Sequence, residues 1–124
     1  MPLSPDTPGT VILRDAPPAG ESRWLAFCDP ERVFAARTVA EVAPILRAVE
    51  EAAAAGLFAA GFVAYEAAPA FDPAGRTRPP SAAPGALPLA WFGLYRRVAT
   101  PAALPPAAAA PPRLTWTPSE TAAD

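Results

Sequence analysis

Thr38-Val-Ala-Glu-Val-Ala-Pro-Ile-Leu-Arg-Ala-Val-Glu-Glu-Ala-Ala-Ala-Ala-Gly56 decides the fold. Val42, Ile45, Leu46 and Val49 recur at three- and four-residue spacing, which puts them on one stripe of a helix that faces a core. Thr38 and Glu41 have capping-box spacing, in which each satisfies a backbone N–H at the helix start, and Gly56 suits the left-handed position that ends a helix. The expected helix is therefore Thr38 to Ala55. Pro44 disagrees with part of it: proline has no N–H to donate, so regular helix is expected only from about Ala43.

A helix with one apolar stripe needs a surface to pack on, and strands flank it on both sides. Downstream, Leu57 to Tyr65 is an apolar run expected as a central strand, and Gly61 lets another backbone or a bulky ring come close. Upstream, Arg32 to Ala36 is expected as a strand in a hairpin or meander with the one before it, Arg23 to Cys28. There Trp24, Ala26 and Cys28 share one face, and Leu25 and Phe27 the other. Thr10 to Arg14 is a first strand, with a proline and glycine turn at Asp15 to Glu21. Glu66 to Phe71 has room for one helical turn, Ala74 to Pro84 reads as an exposed loop, and Leu87 to Tyr95 returns to strand. Leu114 to Thr117 is expected to form one more strand. This order of elements gives an α+β fold: a mostly antiparallel sheet with one main helix.

Residues 1–9 read as a flexible arm, 10–98 as one domain, 99–112 as a semi-rigid alanine and proline linker, and 113–124 as the start of a further domain. Pro118 to Asp124 looks like the opening of a helix that the chain does not continue, so the sequence is expected to be a truncated piece.

The chain has 124 residues, enough for one domain with a real core. It is 52% hydrophobic and 18% charged, a balance that suggests a surface meant to be covered. A net charge of -2 gives no footprint for nucleic acid or for an anionic membrane, and neither partner is expected. No secretory signal is legible at the amino terminus and no stretch is long enough to span a bilayer, so the cytoplasm is the default location. Cys28 is the single cysteine and histidine is absent. An internal disulfide, a Cys/His zinc site and a histidine-based triad are thereby excluded within the chain.

Few residues are candidates for chemistry. Glu66 follows a long uncharged run and has the position of a general acid or base, but a carboxylate with no nucleophile or second carboxylate nearby is more often a structural acceptor. Tyr65 beside it reads as core. Arg14 and Asp15, with Arg23 on the next strand, can surround a small zwitterion such as an amino acid, or can be ordinary surface pairs. Cys28 lacks a basic neighbour and reads as an inert core thiol. Gly56 and Gly61 fit no phosphate-binding fingerprint. Trp24, Trp91 and Trp116, with Phe27, Phe58, Phe62 and Phe92, fall on expected strands and read first as core and second as a ligand box.

Two stretches, Gly61-Phe-Val-Ala-Tyr-Glu-Ala-Ala-Pro-Ala-Phe-Asp-Pro73 and Leu87-Pro-Leu-Ala-Trp-Phe-Gly-Leu-Tyr95, resemble component I of aminodeoxychorismate synthase. Val11 to Asp15 and Ser22 to Pro30 look like the paired strands that open this family and the related anthranilate synthase component I. The resemblance covers roughly Thr10 to Tyr95. It implies a non-catalytic amino-terminal domain that packs on a larger chorismate-binding domain absent from this chain. That absent domain holds magnesium and the catalytic acid and base, so no catalytic, cofactor or metal residue is expected here. A glutamine amidotransferase partner supplies ammonia in the family. The anthranilate branch binds tryptophan through Leu-Leu-Glu-Ser on its first strand; the matching positions here are Ile12-Leu13-Arg14-Asp15. The change of charge and donor pattern favours the para-aminobenzoate branch. The alternatives are anthranilate synthase component I and a stand-alone amino-acid-binding regulatory module.

Overall fold

A computed structural model describes residues 7–106 and 113–117. In chain order it contains β1 (Val11–Asp15), β2 (Arg23–Phe27), β3 (Arg32–Ala36), α1 (Val39–Ala54), β4 (Phe58–Val63), a short 3-10 helix (Tyr65–Ala70) and β5 (Ala90–Tyr95). The fold is α+β with one main helix, and every strand pairing is antiparallel. The strands form two sheets: the hairpin β1-β2 and a three-stranded sheet in the order β3-β5-β4.

Two expected arrangements are overturned. β2 and β3 do not pair. The free edge of β2 is closed instead by Ala99, which accepts from the Ala26 amide at 2.8 Å and donates back at 2.9 Å, while Asp29 turns the chain away in a left-handed conformation (φ 54). Nor is β4 central. It lies at an edge, and β5, last in sequence, takes the middle position. The central place suits β5 because Ala90, Gly93, Leu94 and Tyr95 are all buried, so both of its faces are covered.

The reason for two covered faces is a layered build. On one side α1 contributes Val42, fully buried, with Val39, Ile45 and Leu46, to a cluster that includes Ala36, Ala67, Leu89, Ala90 and Phe92. On the other, Phe27 of the hairpin packs with Ala60 and Tyr95, joined by Val11, Leu25 and Val98. The Phe27 and Tyr95 rings meet at 5.4 Å and 54°, a tilted geometry that aromatic quadrupoles favour.

α1 starts at Val39, earlier than Pro44 suggests. The Glu41 carboxylate accepts from the amides of Arg37 (2.8 Å) and Thr38 (2.9 Å), so the first turn is held before the proline is reached. Pro44 removes only the bond to Ala40, and both residues are exposed, so solvent reaches that carbonyl. At the other end Gly56 is left-handed (φ 93), and the amides of Gly56 and Leu57 donate to Ala53 and Ala52 at 3.0 and 3.1 Å.

Several aromatic residues expected in the core lie outside it. Tyr65 is 80% exposed and Trp116 87%, and Phe58 and Phe62 are only partly covered. No strand forms over Leu114 to Thr117, because that segment has no partner strand among the described residues. The expected helix start at Pro118 to Asp124, residues 1–6 of the arm and residues 107–112 of the linker lie outside the described residues. No helix among the described residues is long and apolar enough to cross a membrane.

Candidate functional site

Arg14, Asp15 and Arg23 sit at the turn end of the β1-β2 hairpin. The register pairs Asp15 with Arg23 and Arg14 with Trp24. Because side chains alternate along a strand, Asp15 and Arg23 share one face and Arg14 the other. Arg23 Nε donates to Asp15 Oδ2 at 2.9 Å. Arg14 lies over the Trp24 ring at 5.6 Å and donates to Ser22 Oγ at 3.0 Å. Each charged group is thus engaged by its cross-strand neighbour, and the three do not converge on one point.

Glu66 is half-buried on the 3-10 helix, where its backbone carbonyl accepts from Thr77 Oγ1 at 3.4 Å. Among the described residues no group of three or more Cys, Asp or Glu side chains is placed to hold a metal ion.

A second corner joins residues that sequence spacing leaves far apart. Cys28, Asp29, Glu31, Arg96 and Arg97 line an open depression of about 440 Å³. The turn at Asp29-Pro30 brings Glu31 beside the end of β5, where Arg96 Nε meets Glu31 Oε2 at 2.7 Å. Cys28 is a free, half-buried thiol at this depression. Next to it the buried Tyr95 phenol donates to the Gly9 carbonyl at 2.7 Å. Burial first, and the nearby Cys28 sulfur second, raise the Tyr95 pKa above its ordinary 10.0. The phenol is a neutral structural donor at physiological pH. The doublet Arg96-Arg97 directly after an apolar strand was the only sequence signal for this corner.

The chain was compared with protein-family models, with curated proteins and with solved structures, and none of the three gives a match.

Proposed function

We propose that the chain is the non-catalytic amino-terminal part of an aminodeoxychorismate synthase component I, whose whole protein aminates chorismate to 4-amino-4-deoxychorismate on the route to para-aminobenzoate and folate. The observation that carries this reading is a half-covered sheet. The two stretches on which the resemblance rests hold the last three residues of β4 with the 3-10 helix, and β5, and β4 and β5 pair along the full length of both strands. On the face that the hairpin covers at Ala60 and Tyr95, Phe58 and Phe62, with Val33 of β3, remain 48%, 38% and 46% exposed. Exposed large apolar side chains on a sheet face are what a covering domain would bury. In this reading the cover is the chorismate-binding domain, which brings its own magnesium and its own acid and base. A glutamine amidotransferase delivers the ammonia, and the assembly works in the cytoplasm.

The para-aminobenzoate branch is preferred because Arg14 and Asp15, at the positions of the tryptophan-binding motif, are engaged with Trp24, Ser22 and Arg23. The test has two stages. Reading the gene beyond Asp124 should reveal a chorismate-binding domain in frame or adjacent. The full protein, given chorismate and ammonia, should then form 4-amino-4-deoxychorismate. Anthranilate as product would move it to the other branch, and the absence of any chorismate-binding domain would refute the reading. Calorimetry of this chain with tryptophan should show no binding heat; a clear signal would instead support an amino-acid sensor.

A further inference from the structure

β4 is bonded to β5 on one side and, among the described residues, is open on the other. The Ala64 amide donates to Leu89 at 2.8 Å. Backbone groups of an antiparallel strand alternate in direction, so Phe62, Ala60 and Phe58 turn their N–H and C=O toward β5, and Val63, Gly61 and Ala59 turn theirs outward. Gly61 agrees with this phase. A Cβ built on it would run into the Trp91 carbonyl oxygen, which therefore points toward β4, as it must if Phe62 and Trp91 are a hydrogen-bonded pair.

Natural sheets protect open edges with charge, proline, a bulge or very short strands. β3, the opposite edge, carries Arg32 and is flanked by Glu31 and Arg37. Phe58-Ala-Ala-Gly-Phe-Val63 has six residues with no charge and no proline, and its last three are all exposed. It is also nearly the same read in either direction about Ala60: Ala59 and Gly61 flank it, then Phe58 and Phe62.

We infer that β4 pairs antiparallel with β4 of a second copy, about a twofold axis at Ala60, joining two three-stranded sheets into one. This inference stands apart from the proposed function. In this register the outward groups of Ala59 bond those of Gly61 in the second copy, and the reverse. Phe58 meets Phe62 of the second copy in a non-hydrogen-bonded pair, where side chains approach most closely. A slip of two residues in either direction keeps the backbone bonds but sets a phenyl ring against Ala60, so the aromatic pairs specify the register. The absence of charge on the strand means that a twofold contact brings no like charges together.

Sedimentation of the 124-residue chain over a range of concentrations, with amide exchange followed by NMR, tests this. The expected result is a monomer–dimer equilibrium in which protection of Ala59, Gly61 and Val63 rises with concentration while that of Phe58, Ala60 and Phe62 does not change. A chain that stays monomeric, or a dimer without that alternation, overturns the inference. So does protection of the three amides independent of concentration, or gained only when a chorismate-binding domain is added. As a second arm, Phe58→Lys with Phe62→Lys should weaken the dimer by about tenfold or more, and mixing with the Phe58→Glu, Phe62→Glu chain should restore association. Circular dichroism checks that these variants fold; if they do not, the exchange pattern of the unaltered chain decides.

Discussion

Two glycines set the spacing around β5 and fail differently when filled. At Gly61 a Cβ would run into the Trp91 carbonyl oxygen and the Phe92 Cα, both backbone, so β4 and β5 would have to separate. Gly61→Ala is expected to destabilise by roughly 3 kcal/mol in urea unfolding, at the upper end of overpacking; a loss near zero would contradict the pairing. At Gly93 the obstacle is the Tyr95 ring, a side chain resting over the position that lacks one. Tyr95→Phe keeps the ring and removes the donor to Gly9, for an expected loss of about 1 kcal/mol. It should also change the alkaline limb. Because the folded pKa of Tyr95 is raised, its stabilisation is complete below the unfolded value and is lost as pH rises through the folded one. Unfolding against pH should therefore fall less steeply above pH 10 in Tyr95→Phe, and an unchanged profile would argue against a buried phenol.

At the scale of elements, α1 was the most legible part, because its stripe and both of its ends are local signals. Pro44 was misread since its cost is one bond on an exposed turn. Pro44→Ala should restore that bond and stabilise by about 1–2 kcal/mol, less than the full interior penalty because the unfolded chain gains freedom; a lower melting temperature would show that the ring itself packs. Glu41 adds a pH signature. Its carboxyl is held below the ordinary value by the Arg37 amide first and the Thr38 amide next. Its contribution is present above the unfolded pKa and lost as pH falls through the depressed folded one. Glu41→Gln should lower stability at neutral pH and make the loss in acid shallower, as followed by helix ellipticity. The strands were legible as segments but not as partners. Arg32 to Ala36 was placed to the residue, yet its mate is β5 rather than β2, a choice made by long-range contacts that spacing does not encode. Edge and centre were exchanged for the same reason: the phenylalanines of β4 look like two-sided burial until the sheet order is known. Of the candidate site, the cross-strand pairing of Arg14, Asp15 and Arg23 followed from the hairpin, but the corner at Cys28, Glu31 and Arg96 needed the fold.

For the molecule as a whole, the exposed Val33, Phe58 and Phe62 should make the folded chain bind a hydrophobic dye at low concentration. A folded chain that leaves the dye dark would contradict the exposure of these side chains. The sheet order has a further consequence for synthesis. β3 and β4 never touch each other as partners, and the strand that joins them is the last to be made. A ribosome adding on the order of 5–20 residues per second would release β3, α1 and β4 before any sheet can close. Protease resistance of the nascent chain should thus arrive in a single step once Tyr95 has left the exit tunnel, and any message ending before Ala90 should yield only material for degradation.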